Sequence, residues 1–130
     1  MNKHNIINGF ALISKYFFAT IFVIYGIQHF MYANYVAGMV PGWIPFHLFW
    51  VYFTGSAFFA FAISVFFNWN AKWGCFLLGI MIWIFIFTIH VPSLINDHFS
   101  GGDITSTCGD LGLASCAFML SGILSRNNTA

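Results

Sequence analysis

Charged side chains are nearly missing from this sequence. Its 130 residues carry seven charges, four from Lys or Arg and three from Asp, which is 5% of the chain. A soluble domain usually has about 25% charged residues. Seven charges are therefore too few to cover the surface of a water-soluble domain of this length. The formal net charge of +1 also provides no basic surface for nucleic acid. The composition therefore indicates lipid as the surrounding solvent.

Cysteine is scarce as well, with three residues and no CxxC pair. Cys108 and Cys116 lie on one predicted helix, separated by a rise of about 12 Å, which is too long for a disulfide. We interpret both, together with Cys75, as buried small apolar residues. The sequence also lacks a phosphate-binding loop, a dinucleotide fingerprint, a serine-hydrolase elbow and the ligand spacing of a zinc site. A structural metal site is therefore not indicated.

Apolar side chains, by contrast, make up 60% of the chain, and aromatic ones 22%. They form four runs, at about residues 9–31, 47–67, 71–91 and 105–125. Each run is close to the length of about 20 residues that crosses a hydrocarbon core as a helix. Strands are excluded because the runs are apolar on all sides instead of alternating. We predict an all-α integral membrane four-helix bundle, a single transmembrane domain over residues 1–130, whose third helix ends before Pro92.

The fourth run contains many of the small residues of the chain. Gly109, Gly112, Ala114, Ser115 and Ala117 follow one another closely in it. Small residues let helix backbones approach each other in lipid. This run is therefore predicted to pack centrally in the bundle or in a homo-oligomer.

The few cations orient the bundle. They fall at the N-terminus, at the turn between the second and third helices, and at the C-terminus: Lys3, Lys15, Lys72 and Arg126. The other two connections contain no Lys or Arg, so the positive-inside rule predicts that both termini are cytoplasmic. The acidic residues Asp97, Asp103 and Asp110 then lie toward the outer face.

Ionisable side chains collect at that outer end of the bundle. His29 ends the first helix, His90 ends the third, and Asp110 lies about one turn inside the fourth, so the three share one depth. Such groups are costly in lipid and turn toward the bundle interior or water. We predict that they converge on one outward-facing pocket as its catalytic residues. Asp110 would hydrogen-bond one imidazole and fix its tautomer.

Further residues near this depth are predicted to bind a ligand: Gln28, Trp43, His47, Trp50, Tyr52 and Thr54. Simpler explanations stay open for several of them. Histidines at helix ends and loop aromatics can belong to the membrane interface, and Asp110 can cap the fourth helix. The connection over residues 32–46 contains Pro41 and Pro45, which discourage a regular helix. We expect it to lie folded onto the outer interface.

Four short stretches carry a family resemblance. They read GIQHF at 26–30, VAGMVPGWIP at 36–45, WVYFTG at 50–55 and HVP at 90–92. Together they resemble the DoxX family of small membrane proteins, over roughly residues 15–125. The resemblance implies a four-helix bundle that crosses the bacterial cytoplasmic (inner) membrane. The related DoxD resembles the membrane subunit of a thiosulfate:quinone oxidoreductase, which implies a membrane-associated redox complex.

Three functions remain open at this stage. The first is a redox-linked subunit that binds a quinone or a similar lipid-soluble ligand and works with a membrane or periplasmic redox partner. Quinol oxidation needs a proton acceptor beside the ring oxygens, a role that suits histidine. The second is a haem or copper site with His29 and His90 as ligands. The third is a non-catalytic membrane partner or assembly subunit.

The predicted orientation can be tested by cysteine labelling. In the Gly101→Cys variant, the new thiol should react with a membrane-impermeant maleimide in intact spheroplasts, because the connection that contains it carries no Lys or Arg. Labelling only after lysis would contradict the topology.

Overall fold

The spans begin and end where apolar runs meet turn residues. The computed structural model describes residues 3–96, 98 and 100–127. Seven helical segments follow one another: α1 (Lys3–Met31), α2 (Ala33–Ala37), α3 (His47–Phe66), α4 (Ala71–Phe85), a π-helical turn (Ile86–His90), α5 (Val91–Asn96) and α6 (Gly101–Asn127). No strand occurs within these described residues. The all-α prediction is confirmed.

Four stretches of the described chain are long and apolar enough to cross a membrane. They cover Ile6–Met31, His47–Phe66, Ala71–Asn96 and Gly101–Arg126. The molecule is therefore a helical bundle of multi-pass membrane type, as predicted. Asp97, which the sequence analysis assigns to the outer connection, lies outside the described residues.

The third span was predicted to end before Pro92, and that prediction is wrong. The chain stays helical through the proline and ends at Asn96, because the π turn Ile86–His90 comes first. There the Val91 N–H bonds to the carbonyl of Ile86, one residue beyond the α-helical partner. A proline normally clashes with the carbonyl four residues before it. In this chain that carbonyl, of Thr88, belongs to the widened turn, which makes room for the ring.

Two other boundaries also differ from the prediction. The first helix begins at Lys3, and the last begins at Gly101. In addition, α2 forms within the connection where no regular helix was expected. Pro41 and Pro45 lie beyond the end of α2, so they do not disturb it.

The helices associate as two pairs. α1 packs along α3, α4 packs along α6, and α3 and α4 join the pairs. The turn between α3 and α4 is made by Asn68 and Asn70, both in the left-handed region with φ of 53° and 51°. Asparagine tolerates this conformation better than most residues. The turn is tight enough to place the two helices side by side.

Aromatic rings fill the interior between α1 and α3. Phe22 lies against Phe58 and Phe61, with ring centroids 5.3 and 5.1 Å apart. From the other pair, Leu78 and Ile82 of α4 join the same buried cluster. One continuous core therefore connects both helix pairs.

α6 lies at the periphery of the bundle, so the first of its two predicted placements, central in the bundle, is wrong, and packing in a homo-oligomer stays a prediction. It is the least buried of the four spans, and only a stripe that includes Thr107, Ala114 and Ala117 faces the core. A Cβ added at Gly109 or Gly112 would meet open space. The small residues are spread around the helix, so most of them face away from α4.

The cysteines also divide between the core and the outer surface of the bundle. All three are free thiols, and Cys75 is buried as predicted. Cys108 and Cys116 are exposed on α6, so the prediction of burial is wrong for these two.

Gly79 sets the approach of α4 to α6. A Cβ built on this residue would lie 2.7 Å from the ring of Phe118, which itself packs against Phe76 at 5.8 Å between centroids. Gly79→Ala should therefore destabilise the fold by about 1–3 kcal/mol through overpacking. Unfolding by denaturing detergent in mixed micelles measures this change. Gly112→Ala, in open space, is the control, and an equal loss in both variants would contradict the packing argument.

Candidate functional site

A partly open cavity of about 700 Å³ lies between the two helix pairs, at the end opposite the α3–α4 turn. This volume lies within the range of about 300–1,000 Å³ that is typical of sites for small ligands. The walls are mainly apolar, and they include Phe22, Val51, Phe58, Ile82 and Leu113. The sequence-predicted residues on its surface are Gln28, His29, Trp43, Trp50, Thr54, His90 and Asp110. The structure therefore brings both histidines and Asp110 to one cavity.

His90 and Asp110 form the polar centre of this cavity. The Nε2 atom of His90 lies 2.9 Å from a carboxylate oxygen of Asp110, with both side chains partly buried. An ionised carboxylate only accepts, so Nε2–H donates the bond. The remaining ring nitrogen, Nδ1, then carries a lone pair in the neutral imidazole. The predicted hydrogen bond from Asp110 to one imidazole is present in the structure.

Two local features place this pair. His90 is the last residue of the π turn, a type of segment that is found often at functional sites. Asp110 lies well inside α6, which begins at Gly101, so its alternative explanation as a helix cap is wrong. Capping is performed by Ser100, which accepts from the Asp103 N–H at 3.2 Å and donates to its carboxylate. The Ser100 hydroxyl thus caps the start of α6 through the Asp103 N–H, as an N-cap serine does.

His29 approaches the cavity from α1. Its Nδ1 atom lies 2.8 Å from the carbonyl oxygen of Tyr25. Because a carbonyl only accepts, Nδ1 carries the proton, and Nε2 has the lone pair in the neutral ring. The ring also stands edge-on to Phe58, at 5.1 Å between centroids. The two histidines therefore expose opposite ring nitrogens to further partners.

Gly55 is a positioning residue that the sequence analysis missed. A Cβ built there would lie 2.9 Å from the Cβ of His29 and 2.9 Å from the ring of Phe30. Only glycine lets α3 approach α1 this closely at the level of the histidine. A glycine inside an apolar, aromatic-rich span was the available signal.

The connection between α1 and α3 covers the end of the cavity. Its cavity-lining residues are Val36, Met39, Val40, Pro41, Trp43, Ile44 and Pro45, which together we call the cap. Trp50 fastens the cap to α3, because its Nε1–H donates to the carbonyl of Pro45 at 3.0 Å. Of these residues, the sequence analysis named only Trp43 and Trp50 as ligand-binding. The loop folds back over the bundle instead of extending from it.

Two predicted ligand-binding residues do not line this cavity. Tyr52 packs instead against Phe30, with ring centroids 5.4 Å apart. It is two residues from Trp50, and such neighbours point to different sides of a helix. His47, the first residue of α3, lies in a separate shallow groove formed by residues 42 and 44–49. The prediction of Tyr52 in the pocket is wrong, and His47 lies beyond the cap.

Metal-ligating residues do not cluster within the described chain. No group of three or more His, Cys, Asp or Glu that could hold a metal ion occurs there.

Comparisons with known proteins leave the family open. No family model matches the chain, and no curated protein or solved structure is similar enough to count as a match. The resemblance to the DoxX family stays a prediction from the four stretches quoted above.

The His90–Asp110 bond should contribute measurably to stability. Breaking it leaves a polar partner in a largely apolar cavity, which is costly. A double-mutant cycle with His90→Ala and Asp110→Ala should give a coupling energy of about 1–3 kcal/mol. The same cycle with His47→Ala and Asp110→Ala is the control and should stay within about 0.5 kcal/mol. Equal coupling in both cycles would contradict the assignment.

Proposed function

We propose that this chain is a redox-linked membrane subunit that binds a quinone or quinol in the cavity under the cap. The observation that carries the proposal is the meeting of two imidazoles and one carboxylate in an otherwise apolar cavity. A quinone head is a flat apolar ring with two oxygens that form hydrogen bonds. Aromatic and aliphatic walls suit the ring, and the histidines suit the oxygens.

The hydrogen bonds within the site support a proton-transfer role. Nε2 of neutral His29 and Nδ1 of neutral His90 are both acceptors. When a quinol is oxidised, one hydroxyl proton passes to each of these nitrogens and the ring becomes a quinone. The two electrons leave one after the other, each to a one-electron carrier, such as a haem or an iron–sulfur centre, in a membrane or periplasmic partner that is reoxidised between the two transfers. Reduction of a quinone reverses these transfers.

Asp110 acts through His90 in this scheme. Its carboxylate accepts from Nε2–H, which holds the ring in the tautomer whose Nδ1 can take a proton. The same carboxylate stabilises the imidazolium that forms, as the acidic member of other histidine-containing sites does. Gln28 and Thr54 supply further polar groups on the cavity surface.

The proposed placement follows from the positive-inside rule. The capped end of the bundle would face the periplasm of a bacterial inner membrane, with both termini in the cytoplasm. Membership of the DoxX family is part of this proposal and is supported by the motif residues in the cavity: Gln28, His29, Trp43, Pro45, Trp50 and His90.

A second candidate function is favoured by the outer surface of α6. Gly109, Gly112 and Gly122 have open space beside them, and small residues allow close helix contact in lipid. A non-catalytic assembly subunit would use this surface against a partner helix and would need no ligand. The experiment below separates the two functions.

Binding of a tailless dimethoxy-methyl-benzoquinone to the chain in nanodiscs tests the proposal. Titration followed by tryptophan quenching should show saturable binding, since Trp43 and Trp50 line the cavity. His29→Ala and His90→Ala should each weaken it by about tenfold or more, the effect of one lost hydrogen bond to the ligand. Empty nanodiscs give the background.

His98→Ala is the matched control, because this histidine is exposed and does not line the cavity. It should leave the affinity unchanged. Circular dichroism should show that all three variants keep their helix content. Binding that is indifferent to both cavity histidines would refute the proposal and favour the assembly subunit.

A further inference from the structure

The cap covers one end of the cavity. Every cap residue that faces it is apolar, and the cap is held by internal backbone bonds. Ile44 donates its N–H to Pro41 at 2.9 Å, and Met39 donates to Val36 at 3.0 Å. Together with the bond from Trp50 to Pro45, these contacts make the cap an ordered wall. Trp43 and Met39 are 72% and 50% exposed, so the cap is a thin cover, and the sides of the bundle are the other route by which a ligand can reach the histidines.

The sides of the bundle are not equally closed. α1 is packed along α3, α6 along α4, and α3 against α4. Within the described residues, α1 and α6 make no backbone contact of comparable extent. The gap between α1 and α6 is therefore the weakest part of the wall around the cavity.

Residues along this gap are at once cavity-lining and accessible from outside. On α1 these are Tyr25, which is 37% exposed, and Gln28, which is also exposed. On α6 they are Asp110 and Leu113, both partly buried. The cavity therefore lies next to the outer surface along this gap, where no packed helix pair separates the two.

The gap lies at membrane depth. Tyr25 is six residues before the end of α1, about 9 Å along the axis, and Leu113 is twelve residues after the start of α6, about 18 Å along it. Both residues belong to segments that are long and apolar enough to cross a membrane. The gap therefore opens toward acyl chains and not toward water.

We propose that the cavity is loaded sideways from the bilayer, through the gap between α1 and α6 that Tyr25, Gln28, Asp110 and Leu113 border. The ligand is then a ring-headed molecule with a long apolar tail. Its head lies between His29 and His90, and its tail leaves past Leu113 into the surrounding lipid. This inference rests on the proposed function, because it takes the cavity as the site for the head.

A substitution that fills the gap tests the route. Two probes are titrated into nanodiscs that hold the chain: the tailless benzoquinone and its decyl-tailed homologue. In Leu113→Trp, the larger side chain should exclude the tail, so that binding of the decyl probe falls by about tenfold or more. Because Leu113 also belongs to the cavity wall, the tailless probe is expected to lose some affinity too, but its loss should be at least about threefold smaller than that of the decyl probe.

Leu77→Trp is the matched control. Leu77 is 62% exposed on α4 and does not line the cavity, so the same substitution there should leave both probes unaffected. Leu113→Ala is a second variant, which removes bulk from the gap and should make both the entry and the release of the decyl probe faster. Helix content measured by circular dichroism is compared for all variants.

Each outcome bears on the inference. Selective loss of the decyl probe in Leu113→Trp, together with faster release from Leu113→Ala, supports the lateral route. Equal loss of both probes, or no loss of either, overturns it and leaves the proposed function standing. Failure of the unsubstituted chain to bind the tailless probe refutes the proposed function, and the lateral route falls with it.

Discussion

Lipid offers no hydrogen-bond partners, and this constraint governs where each polar side chain of the bundle lies. Many serine and threonine hydroxyls bond to a carbonyl of their own helix, four residues earlier, as Thr20, Ser56, Thr88 and Ser115 do. Ser121 instead donates across to the carbonyl of Lys72 and joins α6 to α4. Once these bonds are made, hydrogen-bonding capacity within the described spans is concentrated on the imidazoles and carboxylate around one cavity. These imidazoles and this carboxylate form the candidate site.

The fold could be predicted from the length of its apolar runs, because a span needs little more than that. The helix ends were harder. Pro92 was expected to stop the third span, yet a π turn accommodates it, and a single sequence has no reliable signal for such a turn. The rotation of each helix was not predictable either, since apolar side chains surround every span. For that reason the burial of Cys108 and Cys116, and the central position of α6, were predicted wrongly.

The depth of the site residues in the bundle could be predicted from the sequence, but the direction of their side chains could not. His29, His90 and Asp110 line one cavity because they lie at one level, and costly groups turn away from lipid. Tyr52 lies near the same level, but it points away from the side of α3 that carries Trp50 and Thr54. The cap was missed for a different reason. Its apolar side chains resemble those of any membrane-interface loop, and only the fold shows that they close a cavity.

The π turn Ile86–His90 holds one more residue than an α-helical turn does, because its backbone bonds span five residues instead of four. An α-helix advances about 100° per residue, so this extra residue resets the angular phase between the part of α4 that packs in the core and everything that follows. Ile86 points into the core, and His90 still points into the cavity one wide turn later. If a single residue were deleted here, the core of α4 would be untouched, but a neighbour of His90 would be directed at Asp110. Which side chain meets Asp110 thus depends on the number of residues in this turn as much as on the histidine itself.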